Sequence, residues 1–576
     1  MRKVCAILWM AAWGVWCAAA QPAAPPFAWE GATVYYVVTD RFANGDPAND
    51  HAYGRGFDAA GQPYALDPVG HFHGGDLAGL TQKIEEGYFE ALGVDALAIT
   101  SPFEQVHGWM GGGPEGDIQQ YAYHGAWTLD YTALDAALGT DAAFRRFVRT
   151  AHAHGLRVLI DVVLDHPGPA TPADMDAFGF GALRDEGWRT WRPGPGESWH
   201  TYHARFVDAA GTDSAWARWW GPGWVRADLP GHDPCGDDAL TACAGGLPDF
   251  KTESSEPVAL PIFLRAKWGP EKTAREEAAL EAFFARTGYP RTPRYYLIKW
   301  VTDWVERHGI DGFRITGAGQ VEAATWQALK QEATRALRAW KAAHPDEALD
   351  EADFWMVAGD DAAPPSADKG FDAVCEDTFR GLARAPEDRL DSLYAAHAQR
   401  RDTAPVGVLA YLSSPGAGLF DRGRLVEGGT RLLLMPGAVQ LFYGDETARP
   451  PGPSVSDPVQ PALSPMNWSA VEEGVRAHWQ AVGAFRKRHP SVARGTHAKL
   501  SDAPYAFMRT FRYGAYEDRV VVALGAAGAT RLNVSHAFPD DTVLRDALTG
   551  RIGIVSYGMI SVAPHASGVI LLEEVK

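Results

Sequence analysis

Cysteine and basic residues are scarce in this chain of 576 residues. It has 5 Cys and no Cys-x-x-Cys pair, so the usual spacing of a structural zinc site is excluded. Lys and Arg total 53 against 72 Asp and Glu, for a formal net charge of −19. Such a chain lacks the positive surface that nucleic acid requires, and neutral ligands or cations suit it better. Internal repeats and low-complexity tracts are also missing.

Long apolar runs are confined to the N-terminus. Arg2 and Lys3 precede an apolar stretch over 4–16, which ends shortly before three alanines. This order predicts a signal peptide over residues 1–20, because the stretch is short for a membrane span and small residues follow it. A membrane anchor is the alternative. We expect a periplasmic or secreted protein with no membrane attachment after cleavage.

Cleavage of the predicted signal peptide would leave three cysteines in the exported chain. Cys235 and Cys243 lie in a loop rich in Gly and Asp, and an oxidising compartment would allow them to form a disulfide. Cys375 would then be left over, and we expect it to be buried.

The residues that are present describe a folded α/β protein. Hydrophobic residues make up 46% and charged residues 22%, which excludes a disordered chain, a coiled coil and a collagen-like fibre. Eight short runs rich in β-branched and aromatic residues alternate with amphipathic segments, which predicts a (β/α)₈ TIM barrel. The predicted strands are 35–38, 96–99, 158–160, 312–315, 354–357, 371–374, 408–412 and 439–443. The clearest helices are 141–154, 295–308, 322–343 and 384–400.

Two segments interrupt this alternation. After the third strand comes a Gly- and Pro-rich stretch of about 130 residues, too long for a structureless loop, which predicts an inserted subdomain. Beyond residue 490 the helical pattern stops, and 506–511, 519–524 and 569–572 predict a C-terminal antiparallel β-sandwich. The predicted domains are the barrel (28–165 and 291–490), the inserted domain B (166–290) and the β-sandwich domain C (491–576).

Motifs stand at the C-terminal ends of the predicted strands, where a barrel carries its function. They read VYYVVTDRFANGDPAND at 34–50, HFHGGDLAGL at 71–80, PFEQVHGWMGGG at 102–113, YHGAWTLDY at 123–131, GLRVLIDVVLDH at 155–166, GIDGFRI at 309–315 and AVQLFYGDE at 438–446. With these motifs the chain resembles the α-amylase family of glycoside hydrolases, and within it the bacterial periplasmic α-amylases. The resemblance implies the same barrel, with a domain B after strand three and a β-sandwich domain C.

Other residues occupy the positions of the family's three catalytic carboxylates. A retaining glycosidase needs two carboxyl groups about 5 Å apart, one as nucleophile and one as acid/base. The resemblance puts the nucleophile two residues after Arg314, which is Thr316, the acid/base at Gly359 and the third carboxylate at Gly416. An unactivated hydroxyl is a weak nucleophile, and catalytic groups that act as a unit leave little beyond binding when all are lost. We therefore expect no catalytic residues and a pseudoenzyme.

Nearby acids are the candidates for restoring activity from displaced positions. They are Asp360, Asp361, Glu322, Glu376 and Asp377. Side chains alternate along a strand, so an acid one residue beyond a catalytic position points elsewhere.

The resemblance also implies residues that contact sugar. His124, Asp161, His166 and Arg314 remain from the family's pattern, and Trp109 and Trp127 lie in motifs at the same face of the barrel. The alternative for Asp161 and Arg314 is an ion pair that closes the barrel floor, and for His166 a hydrogen-bonded histidine at the rim. Seven further tryptophans of domain B are expected mostly in its core, with one or two facing the cleft. They are Trp188, Trp191, Trp199, Trp216, Trp219, Trp220 and Trp224.

Calcium is the expected cofactor, because it prefers carboxylate, amide and carbonyl oxygens. By resemblance, a first site near strand one would use Asn44, Asp46, Asn49, Asp50, Asp76 and the Gly74 carbonyl. An Asx-rich turn without metal is the alternative. A second site, between barrel and domain B, would use Asp165, Asp249 and the Gln320 carbonyl.

Three hypotheses follow for the function. The leading one is an exported pseudoenzyme that binds α-glucan or maltodextrin in a retained cleft. The second is an active glycosidase or transglycosylase that uses displaced carboxylates. The third is a structural or interaction scaffold that binds no sugar.

Overall fold

A computed structural model describes residues 24–57, 61–62, 69–208, 219–359, 369–384, 386–453 and 459–575. The predicted signal peptide, Trp216, Asp360 and Asp361 lie outside these ranges. No helix within them combines the length and the apolar character that crossing a membrane requires.

The strands are numbered in chain order. They are β1 Thr33–Val37, β2 Ala96–Ile99, β3 Phe103–Gln105, β4 Met110–Gly112, β5 Ile118–Gln120, β6 Thr128–Leu134, β7 Arg157–Val163, β8 Val225–Arg226, β9 Asp249–Phe250, β10 Gly312–Thr316, β11 Trp355–Ala358, β12 Ala373–Glu376, β13 Gly407–Tyr411, β14 Ala438–Phe442, β15 Thr496–Asp502, β16 Tyr505–Tyr513, β17 Tyr516–Leu524, β18 Thr530–Asn533, β19 Val543–Asp546, β20 Ile552–Ile554, β21 Met559–Val562 and β22 Ile570–Glu574.

The α-helices are numbered in the same way. They are α1 Thr39–Phe42, α2 Leu77–Glu85, α3 Tyr88–Ala91, α4 Asp141–Ala153, α5 Pro172–Phe178, α6 Thr201–Phe206, α7 Ile262–Thr287, α8 Pro293–His308, α9 Ala323–Ala343, α10 Thr378–Leu382, α11 Glu387–Thr403, α12 Leu425–Leu433, α13 Glu473–Arg488 and α14 Pro490–Arg494.

Eight parallel strands close into a barrel, in the order β1-β14-β13-β12-β11-β10-β7-β2. Every residue of β1 and of β7 is buried, as expected where the interior fills one face and helices cover the other. Tyr35 of β1 pairs in register with Leu97 of β2 and Leu441 of β14, which closes the barrel. The (β/α)₈ barrel and all eight strands predicted from the sequence are confirmed.

The surrounding helices follow from caps and apolar stripes. In α4 the Thr140 hydroxyl accepts a hydrogen bond from Ala143 N, and Phe144, Phe147 and Val148 are buried on one face. Helix α8 ends at Gly309, which adopts a left-handed φ of 74°, a position that glycine fills without strain. These local signals explain why the helix predictions were close to the observed bounds.

The chain between β7 and α8 carries its own small aromatic core. Trp219, Trp220 and Trp224 are buried, and the Trp224 ring lies nearly parallel to the ring of Trp300 in α8, with centroids 5.8 Å apart. This contact joins the inserted segment to the barrel. Cys235 and Cys243 form a disulfide, and Cys375 is a buried thiol outside that disulfide.

The C-terminal strands form an antiparallel sheet in the order β15-β16-β17-β22-β19-β20, with β18 and β21 as a separate pair. A second apolar cluster, including Val521, Leu532, Leu544 and Ile560, fills the space between them. The predicted C-terminal antiparallel β domain is confirmed.

Candidate functional site

A cleft of about 600 Å³ opens at the C-terminal ends of the barrel strands. Its polar lining consists of Thr100, Gln120, His124, Asp161, His200, Arg314, Thr316 and Gln460. Its other lining residues include Tyr36, Met110, Tyr123, Trp127, Leu247, Leu463 and seven glycines (Gly111, Gly112, Gly113, Gly125, Gly245, Gly246 and Gly416). The cleft therefore combines apolar surface with a few hydrogen-bonding groups, as small-molecule sites do.

Asp161 and Arg314 form an ion pair at the floor of the cleft. Asp161 is in the C-terminal half of β7 and Arg314 is on the adjacent β10, where the two residues are paired in register. Arg314 Nη1 lies 3.3 Å from Asp161 Oδ2, and the Tyr36 hydroxyl donates to the same oxygen at 2.7 Å. Both charged side chains are more than nine-tenths buried. The alternative of an ion pair at the barrel floor is thus observed, and both residues also line the cleft.

Two of the three degenerate catalytic positions, Thr316 and Gly416, line the cleft, and Gly359 is not in the lining. Thr316 ends β10 and lines the cleft, and Gly416 lines it beside Pro415 in the loop after β13. Gly359 follows β11 and donates its backbone N–H to the Ile315 carbonyl at 2.7 Å. Among the described residues that line the cleft, Asp161 is the single carboxylate.

The other candidate acids in the described ranges lie outside the cleft lining. Glu322 forms an ion pair with Arg294 at 2.9 Å and accepts a hydrogen bond from Thr252. Glu376 pairs with Arg400 at 2.7 Å, and Asp377 is exposed at the start of α10. None of these three lines the cleft.

His124 and Trp127 form one wall of the cleft. Their rings meet edge to face with centroids 5.0 Å apart, and His124 Nδ1 accepts a hydrogen bond from Ala126 N at 3.1 Å. Burial lowers the pKa of His124 to about 3, with a smaller contribution from His166. His124 is therefore neutral at physiological pH and presents an uncharged imidazole to the cleft.

Two predicted sugar contacts lie outside the cleft lining. Trp109 stacks on Tyr202 with centroids 3.7 Å apart, so its ring belongs to the aromatic core of the inserted segment. His166 is buried, and its Nδ1 lies 3.1 Å from the Pro167 carbonyl. None of the described tryptophans of domain B lines the cleft either.

Another wall of the cleft carries a row of hydrogen bonds that no sequence motif predicts. The Tyr123 hydroxyl donates to Gln460 Oε1 at 2.7 Å, and Gln460 Nε2 donates to Gln120 Oε1 at 2.8 Å. The Arg41 guanidinium lies 3.7 Å from the centroid of the Tyr123 ring. Gln460 is 337 residues from Tyr123 in the chain, and no local motif signals their contact.

The first expected calcium loop is compact. Asp76 accepts hydrogen bonds from Gly45 N, Asp46 N and the Asn49 amide, while the Asn49 Oδ1 atom is buried without a hydrogen-bond partner. Burial raises the pKa of Asp50, and the Asp76 and Asp46 carboxylates add to the increase.

Gly74 lies against the side chains of the same calcium loop. Its φ is 82°, and a Cβ there would lie 2.5 Å from Asn44 Nδ2 and from Asp50 Oδ1. Among the described residues, no group of three or more His, Cys, Asp or Glu side chains is placed to hold a metal ion by itself. Amide and carbonyl oxygens would have to complete a calcium shell here, and the donor chemistry fits that requirement.

The second expected calcium position contains a cationic side chain. Arg226 Nη1 donates to Asp249 Oδ2 at 2.7 Å, and Arg226 also forms an ion pair with Glu253. Asp165 is near, since its carboxylate adds to the burial that raises the pKa of Asp249 to about 7. The predicted ligand set fits a metal ion poorly here, because the Arg226 guanidinium already holds one oxygen of Asp249 and would compete with a cation for this carboxylate.

Comparison with known proteins agrees with this architecture. Residues 36–218 match the family model for the α-amylase catalytic domain. The chain is 43% identical over 522 residues to the periplasmic α-amylase of Escherichia coli (strain K12), covering 86% of this chain and 72% of the relative. It is 34% identical over 154 residues to the cyclomaltodextrin glucanotransferase of Bacillus sp. (strain 38-2), which covers 27% of this chain and 20% of the relative.

Solved structures share the fold at lower identity. An α-amylase from Geobacillus thermoleovorans, complexed with acarbose, superimposes with a TM-score of 0.59 at 17% identity, covering 96% of this chain and 100% of that chain. The long match at 43% identity and the closed barrel with its cleft lead to one conclusion. This chain belongs to the α-amylase family of glycoside hydrolases.

Proposed function

We propose that this protein binds α-glucan or maltodextrin in the barrel cleft without hydrolysing it. The observation that carries the proposal is the lining of the cleft, where Asp161 is the single carboxylate among the described residues and is already paired with Arg314 and Tyr36. A glycosidase needs two carboxyl groups on opposite sides of the scissile bond. Thr316 and Gly416 offer none, and one acid/base group alone contributes about 10²–10⁴ in rate.

Sugar is the ligand class that this cleft suits. Trp127 and Tyr36 offer apolar ring surface, while His124, Gln120 and Gln460 offer uncharged hydrogen-bonding groups. Pyranose rings have apolar C–H faces and hydroxyl edges, so they match such a lining. The 43% identical relative is named a periplasmic α-amylase, which supports α-glucan as the ligand and supports export of this chain.

Calcium is part of the proposal as a structural ion. Asn44, Asp46, Asn49, Asp50, Asp76 and the Gly74 carbonyl would hold it beside β1. A bound cation would give the buried Asn49 oxygen a partner and would offset the repulsion between the three carboxylates. The ion would stabilise the loop that precedes α2, and it takes no part in binding sugar.

The proposal is tested by titrating purified protein with maltoheptaose in a calorimeter. We expect saturable heat, and an absence of heat at millimolar ligand would favour the scaffold hypothesis instead. A starch–iodine assay and a chromogenic maltoside assay on the same sample are expected to detect no turnover. Turnover that disappears in Asp360→Ala or Asp361→Ala would show that displaced carboxylates hydrolyse the sugar.

A further inference from the structure

Arg226 lies in strand β8 of the inserted segment. It pairs with Asp249 across the short antiparallel ladder of β8 and β9, and its guanidinium contacts both Asp249 and Glu253. The Arg226 and Asp249 side chains are mostly buried, with 13% and 4% of their surfaces exposed. A buried guanidinium with two carboxylate partners acts as a fixed cation at this junction.

The ladder is attached directly to the barrel. Phe250 N, in β9, donates to the Asp165 carbonyl at 2.8 Å, just beyond the end of β7. At this attachment Arg226 is in direct contact with the Asp249 and Glu253 carboxylates, so it balances part of their negative charge.

A divalent ion at the second expected calcium position would be repelled by the Arg226 guanidinium. It would have to share Asp249 with a guanidinium in direct contact with that carboxylate, and like charges at such distances repel strongly in a poorly solvated site. The arginine is covalently part of the chain, so it stays in place whatever the calcium concentration.

The same ion pair closes a loop that reaches the cleft. Arg226 and Asp249 flank residues 227–248, which the Cys235–Cys243 disulfide links internally. Gly245, Gly246 and Leu247 of this loop line the cleft. The position of that wall therefore depends on the residues that hold the two ends of the loop together.

We propose that Arg226 takes the place of the second calcium ion and positions loop 227–248 in the cleft wall. Arg226 is a positioning residue, since it acts through the loop. The inference rests on the proposed sugar binding for one readout only. The calcium count and the state of the loop test it without any sugar.

Calcium stoichiometry is the first test. Protein depleted of metal and titrated with Ca²⁺ is expected to bind one ion at the loop before α2, and Asp76→Asn is expected to bind none. An ion that remains in Asp76→Asn and is lost when Asp249→Asn is added would overturn the proposal. If the wild-type protein binds no calcium, the first site fails as a proposal while the role of Arg226 is upheld.

The state of the loop is the second test. In Arg226→Gln, proteinase K is expected to cut within 227–248 about ten-fold faster than in the wild-type protein, because the loop ends are no longer held together. Maltoheptaose binding is expected to weaken by a similar factor. Arg338→Gln is the matched control, since it removes an exposed pair with Asp353 and should change neither readout.

Unchanged cleavage and unchanged binding in a folded Arg226→Gln protein would overturn the positioning role. If that variant does not fold, Glu253→Gln removes one of the two carboxylate partners and keeps the guanidinium. It is expected to show the same changes to a smaller degree, and no change in it would count against the proposal. A wild-type protein that binds no maltoheptaose would refute the proposed function, while proteolysis would still decide the role of Arg226.

Discussion

Arg314 Nη1 lies 3.3 Å from Asp161 Oδ2, and the two side chains are buried together at the floor of the cleft. Asp161 is the single acid in the described lining of the cleft. Its negative charge balances the positive charge of Arg314. Breaking such a pair by removing one partner leaves an uncompensated charge, which costs more than the pair contributes.

Replacing Asp161 with Asn should therefore destabilise the fold. We expect the free energy of unfolding to fall by about 3–5 kcal/mol, because Arg314 would be left buried without a carboxylate. Urea denaturation followed by circular dichroism measures the change. Glu271→Gln is the control, since it removes the exposed pair with Arg275, and it should leave the curve in place. A decrease below 1 kcal/mol in Asp161→Asn would show that water reaches the pair.

Trp127 should dominate the affinity for sugar. Replacing it with Ala is expected to weaken maltoheptaose binding by about ten-fold, or about 1.4 kcal/mol, through loss of apolar contact area. Calorimetry measures the dissociation constant. Trp191→Ala is a matched control, because Trp191 is half-buried against Trp199 and Tyr202 and does not line the cleft. Equal effects of the two substitutions would mean that sugar binds elsewhere.

Restoring the nucleophile alone should show that the general acid of a glycosidase is absent. Thr316→Asp is expected to form a covalent adduct with an activated maltosyl fluoride, since a good leaving group needs no proton. Starch should stay intact, because Gly359 cannot protonate a sugar leaving group. Mass spectrometry detects the adduct, and Thr316→Asn should form none. Starch hydrolysis by Thr316→Asp would reveal a proton donor in the cleft.

The free energy of unfolding should decrease in acid, because Glu573 of β22 becomes protonated. Burial raises its pKa, but hydrogen bonds from His489, Arg545 and Arg488 outweigh burial and lower the pKa from 4.5 to about 2. A carboxyl with a depressed pKa stabilises the fold above its unfolded value, and this contribution disappears as the pH falls towards the folded value.

Thermal unfolding between pH 4.5 and about pH 2 measures this contribution. The unfolding temperature of the wild-type protein should fall over that range, and Glu573→Gln should start lower and fall less. Glu574→Gln is the control, because Glu574 is the exposed neighbour on the same strand. Parallel curves for the wild-type protein and Glu573→Gln would contradict the role of Glu573.

Much of the fold was predictable, because its signals are local. Runs such as TVYYV in β1 and RVLIDVV in β7 are continuous and apolar enough to indicate buried parallel strands. The helix that ends at Gly309 has an equally local stop signal. The aromatic core around Trp219, Trp220 and Trp224 followed from composition, although the ring contacts did not.

The site was predictable only in part. His124, Trp127, Asp161 and Arg314 do line the cleft, because each follows a recognisable motif at a strand end. Trp109 is not in the cleft lining, and its ring stacks on Tyr202 of helix α6. Sequence spacing does not predict which ring Trp109 packs against.

The sequence by itself determined which functional groups are present: Thr316, Gly359 and Gly416 carry no carboxylate in any conformation. The tertiary structure decided how the remaining groups are used. It brings Arg314 to Asp161 across 153 residues and Gln460 to Tyr123 across 337 residues, and it sets Arg226 against Asp249. The physical reason is that side-chain chemistry belongs to the residue, whereas charge pairing and burial depend on neighbours that only folding supplies.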